Sequence, residues 1–174
     1  MGGNPKVDLN TWTLKIDGLV ENPIELTLDQ LKDLEISSQN IDFHCVTTWS
    51  MLDTPWRGIS WDTIEKLVKP LPLAQYVLQY SKDNNNYTTG TLLSELQHPD
   101  VIIGFEHEGQ SIPVEHGGPL RIINPHMYAY KSAKWLYRLE FLEKRKLGYW
   151  EVRGYSEQAD PWKEQRYTED DNLS

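Results

Sequence analysis

The chain carries a single cysteine, Cys45, inside the stretch Asn40-Ile41-Asp42-Phe43-His44-Cys45-Val46-Thr47-Thr48-Trp49-Ser50-Met51-Leu52. A thiol there, in a run of β-forming residues leading toward Trp49 and Trp56, admits four chemistries. It can be a small buried hydrophobe. It can be a nucleophile, which needs a base within hydrogen-bond reach. His44 is adjacent, but neighbours on a strand face opposite sides, so His116 or His126 would have to be brought in by the fold. It can bind zinc, although histidines 44, 98, 107, 116 and 126 and one cysteine provide no paired ligand spacing. It can ligate a soft metal whose other ligands come from an organic cofactor, because thiolate is the soft ligand among side chains.

A second group of residues, His116-Gly117-Gly118-Pro119-Leu120-Arg121 followed by Lys131 and Lys134, has the makings of an anion cradle. The glycines let backbone come close to a ligand, and the proline then fixes the chain direction. Arg121 offers a planar fork suited to phosphate, with two lysines and a histidine nearby. The same residues would also make an ordinary basic surface loop.

These side chains need elements to hold them. Trp12, Leu14 and Ile16 alternate before Asp17-Gly18, a strand and turn. Thr27 and Gln30 form a capping-box pattern opening a short helix. Residues 40–46 read as a strand, and the Trp49 to Trp56 segment as a turn. Ser60 caps a helix with Trp61, Ile64, Leu67 and Val68 inward, stopped near Pro70 and Pro72. Residues 75–80 read as a strand, 83–86 as a turn and 91–96 as a short helix. Residues 101–114 form a hairpin around Glu108-Gly109, and 119–125 another strand. In Lys134–Leu142 the alternation of Trp135, Tyr137, Leu139 and Phe141 favours strand over helix. The sum is one mixed α+β domain over residues 1–167, strand-rich with short helices and long loops. From Thr168 to Ser174 the composition predicts a disordered acidic tail.

Composition narrows the function further. The formal net charge is −9, which disfavours nucleic-acid binding, since that needs a basic face. Lys144-Arg145-Lys146 is too short to change this and reads as a solvated turn. Seven Trp and nine Tyr suit either an aromatic core or a shaped pocket. No apolar run approaches the ~20 residues that span a bilayer. No signal-peptide pattern opens the chain, and a lone cysteine gives no disulfide. The expected compartment is therefore the cytoplasm.

Taken together, the two constellations resemble the molybdopterin-binding domain of the sulfite oxidase family, including its methionine-sulfoxide-reducing branch. The resemblance rests on four segments in order: the cysteine segment from Cys45 to Gly58, His116-Gly117-Gly118-Pro119-Leu120-Arg121, Ser132-Ala133-Lys134-Trp135, and Trp150 to Tyr155. It implies the strand-rich fold of that family and one molybdopterin. Molybdenum, or tungsten, would be ligated by Cys45. His116, Arg121, Ser132, Ala133 and Lys134 would hold the pterin and its phosphate, with Ser81 matching a further cofactor contact. Tyr155 would line the substrate pocket beside the metal. The implied chemistry is oxygen-atom transfer to or from a small sulfoxide, sulfite-like or other oxyanion substrate.

The sequence departs from the family at the substrate site. Sulfite oxidases carry an arginine five residues after the cysteine, where Ser50 stands here. Arg57 and Arg153 are the candidate replacements. No haem, iron–sulfur or dinucleotide motif is present, so a redox enzyme of this sequence needs a separate electron-transfer partner. A molybdopterin-binding protein without turnover, or a cysteine-dependent hydrolase, would share many of the same residues.

Overall fold

The computed structural model describes residues 4–172. Two five-stranded sheets enclose the main core. The first contains β1 (Thr13–Gly18), β2 (Ile24–Thr27), β5 (Tyr76–Ser81), β6 (Thr88–Leu92) and β10 (Leu136–Leu142), in the order β2-β1-β10-β5-β6. The second runs β3 (Ile36–His44), β4 (Ser50–Ser60), β7 (Ile102–His107), β8 (Gln110–Ser111), with β9 (Arg121–Ile123) also paired to β7. Every pairing is antiparallel except β1 with β10, where Lys15 lies opposite Arg138 and Gly18 opposite Phe141. Helices α1 (Leu28–Lys32), α2 (Trp61–Val68) and α3 (Leu93–Leu96) supply the remaining regular elements.

The local chemistry accounts for these elements. At α1, Thr27 Oγ1 accepts from Gln30 N at 3.3 Å, while Gln30 Oε1 accepts from Thr27 N at 2.9 Å. This reciprocal cap satisfies donors that a five-residue helix would otherwise expose. At α2, Ser60 Oγ accepts from Thr63 N at 3.1 Å, and Trp61, Ile64 and Val68 turn inward. Between β7 and β8, Glu108 and Gly109 both have positive φ, +52° and +75°. That is the pair of left-handed residues a tight two-residue hairpin requires.

One apolar cluster joins both sheets and all three helices. Leu14, Ile16, Leu139 and Phe141 meet Ile59, Ile103 and Ile122, with Leu31, Ile64 and Leu96 packed between. Trp12 is buried with its indole N–H donated to Leu136 O at 3.1 Å, so the polar tip is satisfied as burial demands. A smaller cluster of Ile41, Phe43, Trp56, Ile102, Ile112 and Ile123 lies on and beside the second sheet, and its Phe43 and Trp56 form the floor of the site described below.

Four differences from the sequence reading stand out. The sequence reading assigns no element to Ile24–Leu26 of β2 or Thr88–Gly90 of β6, and it places Thr91 and Leu92 of β6 in a helix. The Trp49 to Trp56 segment is not a turn: β4 begins at Ser50, and Trp56 is buried within it. Segment Thr168–Asn172 is a 3-10 helix rather than a free tail. Its acids are used locally. Asp170 accepts from Arg166 N and Tyr167 N, and Asp171 accepts from Ser156 Oγ and Glu157 N. Leu173 and Ser174 lie outside the described residues. Among the described residues, no helix is long and apolar enough to cross a membrane.

Candidate active site

Cys45 stands one residue beyond the end of β3 and opens the turn into β4. Its N–H donates to Trp49 O at 2.8 Å, and its carbonyl accepts from Thr48 N at 3.0 Å. Thr48 takes a positive φ of +78° to close this turn. The thiol is half-buried, and its sulfur lies 3.1 Å from Thr47 Oγ1. It faces a cavity of about 760 Å³, large enough for a drug-sized organic ligand.

Four of the expected site residues line that cavity: Cys45, His116, Arg121 and Lys134. They come from three separate parts of the chain. Arg121 is on β9, held opposite Gly104 of β7. His116 ends a short 3-10 turn (Val114–His116). Lys134 follows a second 3-10 turn (Ala129–Lys131), and the segment around it is tied back by Ile122 N to Ala133 O at 3.1 Å and Trp135 N to Gly117 O at 2.9 Å. Gly117 is required where these strands of chain cross. Its φ is +101°, and a Cβ there would sit 2.6 Å from Lys134 Cγ.

The electrostatics are those of an anion receptor. Arg121 is only 5% exposed. One guanidinium N–H reaches His116 O at 2.8 Å, while Nε has no partner among the described residues. The guanidinium lies 5.0 Å from the Phe43 ring and 5.8 Å from the Trp56 ring, which partly offsets its lost hydration. Burial lowers its pKa to about 10, so it remains a cation at neutral pH. Lys134 is pushed down from its usual value by burial and then by the Arg121 charge, with Cys45 acting in the opposite direction. Among the described residues neither cation has a carboxylate partner.

Other expectations land elsewhere. Lys131, read as part of the cradle, is fully buried away from the cavity, with Nζ 2.7 Å from Glu151 Oε1 and 2.6 Å from Gly90 O. Ala133 is buried, and both its backbone groups are engaged, the N–H to Gln79 Oε1 and the carbonyl to Ile122 N. Ser81 Oγ donates to Lys134 O at 2.6 Å, and Ser132 Oγ accepts from Asn124 N at 3.2 Å. Ser81 and Ser132 border a smaller adjoining pocket of about 200 Å³ that shares Ala129, Tyr130 and Lys134 with the main cavity. Tyr155 stands behind Tyr130, their ring centroids 5.6 Å apart, and it is Tyr130 that forms the wall. Arg57 pairs with Glu106 at 2.6 Å, and Arg153 lies 3.7 Å over the Tyr149 ring; neither lines the cavity.

The alternative roles of Cys45 can be compared on the same geometry. His44 Nδ1 lies 2.8 Å from Ser50 Oγ, with its ring edge-on to Trp162, and His126 Nε2 lies 2.7 Å from Asp100 Oδ1. Neither of these lines the cavity, whereas His116, the other candidate base, does so together with Cys45. Among the described residues no group of three or more His, Cys, Asp or Glu converges to hold a metal. A metal at Cys45 would therefore take its other ligands from a bound molecule, and the unpartnered Arg121 Nε and free Lys134 charge fit the anionic end of such a molecule. Two contributors escaped the sequence reading. Arg166 donates to Val46 O and Trp162 packs on His44, so the C-terminal segment grips both neighbours of Cys45.

Residues 1–150 match the family model described as the oxidoreductase molybdopterin binding domain. The chain belongs to that family. It is 35% identical over 163 residues to the uncharacterized oxidoreductase YuiH of Bacillus subtilis, covering 94% of this chain and 81% of that protein. It is 31% identical over 150 residues to the protein-methionine-sulfoxide reductase catalytic subunit MsrP of Xanthomonas axonopodis pv. citri, covering 78% of this chain. It spans only 46% of that relative's length. The sulfane dehydrogenase SoxCD from Paracoccus pantotrophus shares the fold, with a TM-score of 0.74 at 19% identity over 82% of this chain and 41% of that one. The chain is thus an oxidoreductase of a molybdopterin-binding family, and its strand-rich architecture is that of the family.

Proposed function

We propose that this chain binds one molybdopterin in the Cys45 cavity, with molybdenum ligated by the Cys45 thiolate, and reduces a small sulfoxide using electrons from a separate partner. One observation carries the reading: among the described residues two cavity-facing cations, Arg121 and Lys134, lack carboxylate partners, in a chain of formal net charge −9. A buried charge is costly unless something pairs with it, and a phosphate would do so. When bound, the cofactor supplies two-electron oxygen-atom exchange.

The chain's own residues bind, orient and exclude water. Arg121 and Lys134 take the anionic end, with His116 beside them. Phe43 and Trp56 close the floor and keep water from the guanidinium. Trp49 and Met51 line the cavity on the exposed side, and residues 43–53 contain no Lys or Arg. With Arg121 and Lys134 engaged by the cofactor, no further lysine or arginine remains on the described lining. That favours a neutral sulfoxide with an apolar body over a small oxyanion such as sulfite. The name of the MsrP relative points the same way.

The test begins with protein from a host that makes molybdopterin. Wild-type protein should yield pterin and molybdenum, and turn over methionine sulfoxide with a reduced dye while leaving sulfite unoxidised. Arg121→Gln should bind pterin about thirtyfold more weakly or worse, the cost of leaving a buried charge interaction unmade, read by fluorescence of the released pterin. Folded wild-type protein with neither pterin nor metal would overturn the assignment.

A further inference from the structure

His107 lies at the end of β7, directly opposite Trp56 in the β4–β7 ladder. The two rings stack with centroids 4.1 Å apart. Both line the main cavity, and Trp56 also lies beneath the Arg121 guanidinium. His107 Nε2 is buried and, among the described residues, has no hydrogen-bond partner. A buried polar nitrogen without a partner costs free energy unless something completes it. Holding the strand register does not need an imidazole, since an apolar ring would stack on Trp56 equally well.

Resting on the reading that Arg121 and Lys134 receive an anion, we propose that His107 belongs to the same cradle and contacts the anionic group of the bound ligand. The chemical class of its partner is an oxyanion such as a phosphate or sulfate group. The charged and titratable groups around it are Glu108 in the hairpin turn, Arg121 on β9, His116 on its 3-10 turn, Lys134 across the cavity and Cys45 on the β3–β4 turn. Arg57 and Glu106, on the adjacent rungs of the ladder, neutralise each other at 2.6 Å.

This arrangement gives the cradle a pH dependence that Arg121 and Lys134 alone lack. In the free protein burial holds His107 below its ordinary value of 6.5, and the Arg121 and His116 charges push the same way while Glu108 opposes them. His107 is then neutral at neutral pH. An oxyanion in the cradle favours the imidazolium and raises that pKa. By linkage, acidification must tighten the oxyanion to the same degree that the oxyanion raises the pKa. A shift of about one unit corresponds to about tenfold in affinity.

Sulfate is a suitable probe because its own charge does not change over the range in which histidine titrates. The experiment uses the full chain, purified from a host that makes no molybdopterin and checked for folding by circular dichroism. Sulfate is titrated at about pH 5 and about pH 8, and the histidine Hε1 resonances are followed by NMR. The expected results are about tenfold tighter sulfate at the lower pH and an upward move of the His107 midpoint by about one unit. His107→Gln should keep the affinity found at the higher pH and lose most of the tightening, to about threefold or less. Arg121→Gln should lose sulfate at both values. A His107 midpoint indifferent to sulfate, or undiminished tightening in His107→Gln, would overturn the proposal while leaving the cradle intact. Failure of folded wild-type protein to bind sulfate at either pH would overturn the cradle reading, and the role of His107 with it.

Discussion

Cys45→Ser and Cys45→Ala proteins, made in a molybdopterin-producing host, should fold normally and lose both molybdenum and turnover. The thiol is half-buried, with Thr47 Oγ1 as its neighbour at 3.1 Å. Its replacement therefore changes stability by about 1 kcal/mol or less. The turn that carries it is held by backbone hydrogen bonds between Cys45, Thr48 and Trp49, which neither substitution touches. Activity should nonetheless fall by about a thousandfold or more, as when the central member of a catalytic unit is removed. Pterin retention should suffer less, because Arg121 and Lys134 remain. Urea midpoint, metal content and released pterin, measured on one preparation, separate these effects. Full metal and undiminished turnover in Cys45→Ala would sink the assignment of Cys45 as the metal ligand.

The second large effect concerns stability. Lys131 and Glu151 form an ion pair whose side chains are 0% and 1% exposed. Glu151 Oε1 also accepts from Thr89 Oγ1 at 2.6 Å and Gly90 N at 3.3 Å, and Lys131 Nζ reaches Gly90 O. Glu151→Leu would strand a buried ammonium and two further donors. Removing one partner of such a pair costs about 3–5 kcal/mol, a large share of the 5–15 kcal/mol typical of a domain. Lys131→Met should cost a similar amount by stranding the carboxylate. The double variant Lys131→Met/Glu151→Leu should recover much of the loss, since apolar replacement of both partners is often tolerated. Urea unfolding of the three proteins provides the cycle. Single variants within about 1 kcal/mol of wild type would show that the pair does not stabilise the fold.

That ion pair also shows where the sequence stops being informative. Lys131 sits two residues after Ala129 and three before Lys134, both of which line the cavity, and nothing in its spacing says that it points elsewhere. Its partner is Glu151, in a 3-10 turn twenty residues on, and tertiary packing alone joins them. Arg121 stood out because a planar cation after two glycines and a proline suits an anion, although the same residues would serve equally in an ordinary basic loop. The caps at Thr27 and Ser60 were readable because capping is local chemistry. Strand β6 was not, because Thr88-Thr89-Gly90-Thr91 is a weak strand sequence stabilised by its neighbours: Gly90 accepts the close passage of Lys146 O, to which a Cβ would lie at 2.4 Å. His107 was visible only as a scattered histidine, since its stack on Trp56 depends on the β4–β7 register.

The parallel pairing of β1 with β10 has a consequence for how the protein is made. β10 occupies the middle of the first sheet, between β1 and β5, yet it is the last of the ten strands to be synthesised. A ribosome-bound chain ending short of Leu136 has β1 and β5 waiting on either side of a missing rung. Local hairpins such as β3–β4 and β5–β6 can form as they emerge, but closure of the sheet must join residues more than a hundred positions apart, and contacts of that span are slow to form. The segment that grips the neighbours of Cys45 emerges later still. The cavity lining itself lies between Phe43 and Lys134, on and beside the second sheet, so all of it is translated before β10 completes the first sheet.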